Sequence, residues 1–241
     1  IAQTQIYEYN AYYFNSIPFD VDGDGDMDIL ADSQIRNTYT LFENKSGTYY
    51  KNKTISKPFA NTSTVILDVN NDGNKDIVYL ANNTLNWFQN LGSTNFSSTK
   101  SLGQISSAET LTSIFPGDFN GDGQMDLGLV NEKDQVFWLA RSGSAFNLNK
   151  NIILNYTGAN DRAAGNYVID FDNDGDMDII TGDGYGGIDF MENNNGAFTG
   201  NLKTLLPGFG TFGLRFVDVN NDGYSDIIRL YHNGSGSSYI M

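Results

Sequence analysis

With 241 residues the chain is long enough to bury a real core, and its lack of cysteine excludes disulfides, thiolate metal sites and cysteine nucleophiles. Its net charge of −15 is concentrated: 19 of the 29 acidic residues fall in five ten-residue windows that hold one base, Lys75, and the rest is close to neutral. There is no basic stripe for nucleic acid and no apolar run long enough to cross a bilayer, so neither nucleic-acid binding nor membrane insertion is expected.

The chain starts without methionine or a visible signal peptide, as a mature product or an excised fragment would. Its first residues, AQTQIYEYN, read as a lone strand. The first acidic window, DVDGDGDMDI, starts at Asp20. A third strand centred on Leu41 and Phe42 follows, then the turn NKSG and a fourth strand, TYYKNKTI. The same order returns four times. DVNNDGNKDI starts at Asp68 and is followed by Trp87-Phe88, NLGS and NFSSTKSL. DFNGDGQMDL starts at Asp118 and is followed by Phe137-Trp138, RSGS and AFNLNKNII. DFDNDGDMDI starts at Asp170 and is followed by Asp189-Phe190, NNNG and AFTGNLKTL. DVNNDGYSDI starts at Asp218 and is followed by Tyr239-Ile240, where the chain ends.

The first aspartates of the windows are 48, 50, 52 and 48 residues apart. The residues flanking each window, such as STVILD and KDIVYL, are short and β-branched, so each window joins two strands as a hairpin. Four strands in a repeat of about 50 residues make a propeller blade. The expected fold is therefore all-β: a β-propeller of four-stranded antiparallel blades, spanning 1–241 as one domain. Five blades fill the length, with the N-terminal strand completing the last; five blades of a larger ring are the alternative. Pro18 and Pro116 fall on innermost strands, where a missing N–H is tolerated. Ile29, Ile77, Leu127, Ile179, Ile227 and the aromatic third strands are expected in the core.

All five windows fit D-x-[DN]-x-D-G-x-x-D-[IL]. Oxygens at positions 1, 3 and 5 converge if the chain curls tightly, and glycine at position 6 permits the bend. The carbonyl of position 7 and the carboxylate of position 9 close the far side. Such an all-oxygen cage suits Ca2+ better than Mg2+. The expected ligands are Asp20, Asp22, Asp24, Asp26 and Asp28; Asp68, Asn70, Asp72, Asn74 and Asp76; Asp118, Asn120, Asp122, Gln124 and Asp126; Asp170, Asp172, Asp174, Asp176 and Asp178; and Asp218, Asn220, Asp222, Tyr224 and Asp226. The third of each set acts at position 5 and the fourth through its main-chain carbonyl. Up to five Ca2+ are expected. Aspartate at position 3 predicts the tightest binding in the loops at Asp20 and Asp170. An EF-hand is excluded, because position 12 is Ala31, Tyr79, Leu129, Thr181 or Arg229 rather than a bidentate glutamate.

These loops, followed by strand residues at this period, resemble the FG-GAP/VCBS repeats of the integrin α-subunit propeller and of many secreted bacterial proteins. SIFPGDF is a partial echo of the family's Phe-Gly and Gly-Ala-Pro elements. The resemblance covers nearly the whole chain. It implies a Ca2+ loop between the first and second strands of each blade, with ligands meeting the opposite face. There the connections hold Tyr12, Tyr13, Arg36, Phe59, Glu109, Arg162, Tyr185, Phe209 and His232. Aromatic and polar groups mixed in this way suit a carbohydrate or protein partner. The expected function is a calcium-stabilised, non-catalytic binding or adhesion module, secreted or on a bacterial cell surface, where millimolar calcium fills such cages. A polysaccharide-acting enzyme and a structural spacer of a surface or virion protein are the alternatives. No catalytic constellation stands out: His232 lies in the turn HNGSGSS, GDGYGG at 182–187 lacks the context of a phosphate loop, and Asp161 with Asp183 is the one acid pair to consider.

Overall fold

The computed structural model describes residues 13, 15–33, 35–60, 63–105, 109–133, 135–154, 166–182, 187–198, 202–206, 211–232 and 238–240. Every regular element among them is a β-strand, and the acidic windows interrupt the ladders at the same point each time. The first sheet contains β1 (Asn15–Phe19), β2 (Asp28–Ser33), β3 (Thr38–Lys45) and β4 (Thr48–Ser56), in that order. The second contains β5 (Ser63–Leu67), β6 (Asp76–Ala81), β7 (Thr84–Phe88) and β8 (Lys100–Gln104). The third contains β9 (Leu111–Gly117), β10 (Asp126–Asn131), β11 (Val136–Leu139) and β14 (Asn151–Leu154), with a small hairpin of β12 (Arg141–Ser142) and β13 (Ala145–Phe146) before its last strand. The fourth contains β15 (Asn166–Ile169), β16 (Asp178–Gly182), β17 (Ile188–Met191) and β18 (Lys203–Leu206), and the fifth β19 (Thr211–Val217), β20 (Asp226–His232) and β21 (Ser238–Ile240). Neighbouring strands pair antiparallel, in simple up-and-down order.

Burial explains this order. Every residue of β6 and of β10 is buried, so these strands are apolar on both faces. β4 is largely exposed and carries Lys51 and Lys53, charges that discourage pairing of an open edge. The register shifts between Leu41 and Phe42, Leu85 and Asn86, Val136 and Phe137, and Ile188 and Asp189. A bulge thus recurs at one place in four sheets, where it turns the outer strand.

The chain divides into two compact units, residues 1–114 with 142–148 and residues 115–141 with 149–241. In the first, Tyr39, Tyr79 and Phe88 form an aromatic cluster within a core that includes Phe19, Val21, Leu41 and Ile77. In the second, Phe115, Phe119, Trp138, Ile179 and Met191 form one core cluster, and Ile180, Ile188 and Phe190 another.

Most expected core positions are buried, including Phe42, Trp87, Phe88, Phe137, Trp138 and Phe190 on the third strands. Ile29 and Ile227 are exceptions: both are half-buried, and in β2 Leu30 takes the core side. Pro18 and Pro116 lie on β1 and β9, each at the edge of its sheet. Three fourth strands differ from expectation; in the fourth sheet the strand starts at Lys203 instead of Ala197. In the second sheet the strand starts at Lys100 instead of Asn95, because Asn90 and Phe96 form an isolated bridge that holds the preceding residues in a turn. In the third, residues 145–146 close the small hairpin, and only Asn151–Leu154 joins the sheet. The N-terminal strand expected to complete the last blade lies outside the described residues, and three strands of the fifth sheet are described.

Candidate functional site

The five acidic loops share one geometry. The position 1 carboxylate receives the N–H of the position 6 glycine on one oxygen: Gly25 to Asp20 at 3.0 Å, Gly73 to Asp68 at 2.8 Å, Gly123 to Asp118 at 2.8 Å, Gly175 to Asp170 at 3.1 Å and Gly223 to Asp218 at 2.9 Å. The position 5 carboxylate receives the N–H of position 7, from Asp26, Asn74, Gln124, Asp176 or Tyr224, at 2.8 to 2.9 Å. This curl needs left-handed backbone at two places. Glycine supplies it at position 6, as at Gly25 with φ +92°. Position 4 also has positive φ, at Gly23, Asn71, Gly121, Asn173 and Asn221. The restriction of position 4 to glycine and asparagine is a signal in the sequence that the motif, written with x there, passes over.

Position 9 is built differently. Asp28, Asp76, Asp126 and Asp178 are fully buried at the start of the second strand. One oxygen of each accepts the N–H of position 2 in its own loop: Val21 at 2.8 Å, Val69 at 2.8 Å, Phe119 at 3.1 Å and Phe171 at 2.9 Å. The other accepts the N–H that opens the turn after the third strand: Asn44 at 2.7 Å, Asn90 at 2.7 Å, Arg141 at 2.6 Å and Asn193 at 2.9 Å. Each of these four aspartates therefore ties its loop to the turn after the third strand, at the same end of its sheet, and each oxygen keeps a second lone pair. Burial pushes Asp28 and Asp126 above the usual carboxylate range and Asp76 and Asp178 to about 6. The two N–H bonds oppose that shift, and carboxylates elsewhere in each loop add to it.

Position 3 divides the loops into two kinds. Where it is asparagine, the amide donates to the position 5 carboxylate: Asn70 to Asp72 at 2.7 Å, Asn120 to Asp122 at 3.1 Å and Asn220 to Asp222 at 3.0 Å. With the N–H of Asn74 as the larger cause, such bonds hold Asp72 below its ordinary range. Where position 3 is aspartate, carboxylates converge. Oxygens of Asp20, Asp22 and Asp28 lie within 4.8 Å of one another, as do those of Asp170, Asp172 and Asp174. Asp172 is pushed up by desolvation and then by the charge of Asp174. The Asp26 and Asp176 side chains face the turn after the third strand, accepting the N–H of Ser46 at 2.9 Å and of Asn195 at 2.7 Å. That fits a position 7 that offers its main-chain carbonyl. The donor set is oxygen throughout, and it fits a hard divalent cation.

Among the described residues, several of those expected to meet a ligand lie at the opposite ends of the sheets. Arg36 lies in the turn between β2 and β3, and Phe59, 52% exposed, lies between β4 and β5. Glu109 lies just before β9. Tyr13 packs edge-on against Phe42 with ring centroids 6.0 Å apart. His232 is the last residue of β20, opposite Ser238, rather than part of the turn. Tyr12, Arg162, Tyr185 and Phe209, and the acids Asp161 and Asp183, lie outside the described residues.

This end of the first unit also holds a buried ion pair that the sequence does not announce. Lys57 binds Asp32, and its ammonium sits 4.4 Å from the centre of the Tyr39 ring. Burial lowers the Lys57 pKa, and Asp32 opposes the shift. The Lys57 N–H donates to the Asn37 carbonyl at 2.8 Å. Near it, Ser33 Oγ and Asn37 Oδ1 are buried without a hydrogen-bond partner among the described residues. A cleft of 440 Å³ lies beside Lys57, Pro58, Phe88 and Ser97.

Four-stranded antiparallel sheets, each opened by an acidic hairpin loop, define a β-propeller whose blades repeat in sequence as well as in shape. The chain belongs to the FG-GAP-like repeat family, which matches residues 20–79, 68–129 and 170–228. None of the curated proteins matches it in sequence. Among solved structures it is similar to an Agrocybe aegerita lectin that recognises non-reducing terminal N-acetylglucosamine, with a TM-score of 0.64 at 18% identity over 93% of this chain. It is also similar to BBS1N, solved in complex with ARL6DN, with a TM-score of 0.60 at 13% identity over 95% of this chain. The Photorhabdus luminescens Tc holotoxin pore gives a TM-score of 0.60 at 17% identity over 97% of this chain and 11% of its own. The chain spans 65% of the lectin chain and 68% of the BBS1N chain.

Proposed function

We propose that this chain is a calcium-stabilised, extracellular binding module that recognises a carbohydrate or a protein and performs no catalysis. The observation that carries the calcium reading is the convergence of three carboxylates in the loops at Asp20 and Asp170, on a backbone already curled around them. A bound divalent cation supplies the positive charge that offsets this crowding. The position 1, 3, 5 and 9 side chains and the position 7 carbonyl hold it, and loops with this donor set fill at extracellular calcium.

The partner meets the end opposite the loops. Arg36 and the exposed Phe59 ring support polar recognition beside an aromatic surface. The lectin and the BBS1N complex support carbohydrate and protein partners respectively, through a shared fold alone. A glycan array in calcium, repeated in EDTA and with Phe59→Ala, tests the reading. Binding that requires calcium and Phe59 is expected; a blank array turns the choice to a protein partner. Calorimetric titration that shows no calcium uptake overturns the module as described.

A further inference from the structure

We propose that Asn90 and Asn193 are positioning residues that couple neighbouring calcium loops in pairs, so that filling one loop raises the affinity of the next. This rests on the calcium reading above and goes beyond it, because the family motif treats each loop as an independent cage.

Asn90 is fully buried at the start of the turn NLGS. Its N–H donates to Asp76 at 2.7 Å, the position 9 carboxylate of its own blade. Its Nδ2 donates to the Lys75 carbonyl at 3.2 Å, at position 8 of the same loop, and to the Val21 carbonyl at 2.8 Å, at position 2 of the preceding loop. Its Oδ1 accepts the Gly92 N–H at 3.0 Å, so the amide cannot turn over without losing all three contacts. The Val21 N–H in turn donates to Asp28 at 2.8 Å. A chain of buried hydrogen bonds therefore runs from the Asp28 carboxylate through the main chain of Val21 and through Asn90 to the Asp76 carboxylate.

The second unit repeats the bridge, with the amide oxygen taking a glycine N–H three residues on instead of two. Asn193 donates its N–H to Asp178 at 2.9 Å, and its Nδ2 to the Met177 carbonyl at 3.0 Å and the Phe119 carbonyl at 3.0 Å. Its Oδ1 accepts the Gly196 N–H at 2.9 Å. The Phe119 N–H donates to Asp126 at 3.1 Å. The chain here joins the loops at Asp118 and Asp170. Asn44 shows the local part of the same device: its Nδ2 donates to the Met27 carbonyl of its own loop at 3.2 Å, and its Oδ1 accepts the Gly47 N–H at 2.8 Å.

The coupling follows from burial. Orphaning a carbonyl or N–H in these positions is costly, so position 2, position 9 and the bridging amide move together. A cation that pins Asp28 fixes Val21, which holds Asn90 where it presents its N–H to Asp76. The second loop then binds a cation with part of its ordering already done.

The test follows each loop by the backbone amide resonance of its position 6 glycine, Gly25, Gly73, Gly123 or Gly175, while Ca2+ is titrated into the full chain. Asp24→Ala disables the first loop. It is expected to weaken the second by about 5-fold or more and to leave the loop at Asp170 unchanged. Asp174→Ala is expected to weaken the loop at Asp118 in the same way. Adding Asn90→Ala removes the dependence of the second loop on the first. Midpoints for Gly73 and Gly123 that ignore Asp24→Ala and Asp174→Ala overturn the coupling, with no need for an asparagine variant to fold. Glycine amides that do not respond to Ca2+ at all overturn the calcium reading instead.

Discussion

Asp22→Asn should stabilise the chain without calcium and weaken it towards calcium, and the two effects have separate physical sources. Asn70, Asn120 and Asn220 occupy the equivalent position in three other loops and donate to the position 5 carboxylate at 2.7, 3.1 and 3.0 Å. Asp22 has no amide to give, and its carboxylate crowds Asp20 and Asp28. The substitution removes one charge and supplies one charge-assisted hydrogen bond to Asp24 at an exposed site. Solvent screening leaves such a gain at about 1 kcal/mol. For a chain of this size that raises the melting temperature in excess EDTA by roughly 2–4 °C. In calcium the variant has lost an anionic ligand. A drop in affinity of about tenfold at that loop corresponds to about 1.4 kcal/mol, enough to reverse the order of the two proteins. Thermal melts in EDTA and at fixed free calcium, with calorimetric titration of the variant, measure both effects. A lower melting temperature in EDTA, or unchanged calcium affinity, refutes this account of position 3.

Without calcium, the folded chain should gain stability on acidification from about pH 7 to pH 5. Asp76 and Asp178 sit at about 6 when folded, above an unfolded value of about 3.9, so their contribution is complete below the unfolded value and lost as pH rises through about 6. Each then adds on the order of 1 kcal/mol over that interval, read by urea melts in EDTA; in calcium the trend should reverse, because protons compete with the cation. In the third blade, Gly128→Ala should destabilise the second unit by at least about 1–3 kcal/mol, since a Cβ there would lie 2.1 Å from the Phe115 ring. An unchanged urea midpoint for that variant would mean that Phe115 moves aside.

The sequence alone determined the repeat, the all-β blade and the place of every acidic loop. The reason is that these features are local: a loop of nine residues supplies most of its own ligands, and alternation within a strand reports its two faces. Aspartate against asparagine at position 3 was also legible, and it separates the loops whose carboxylates converge from those that satisfy themselves. What the tertiary structure decided concerns partners far apart in the chain. Position 9 reads as one more ligand in the motif, yet its burial and its bond to a turn 14 to 16 residues later make it a clamp as well. Asn90 and Asn193 look like ordinary turn residues in NLGS and NNNG, and only packing of one blade on the next brings their amides to the Val21 and Phe119 carbonyls. Lys57 and Asp32 are 25 residues apart, and nothing in the spacing of two common charges foretells that both are buried against Tyr39. Hydrogen-bonding capacity is written residue by residue, but which donor meets which acceptor depends on how the sheets pack.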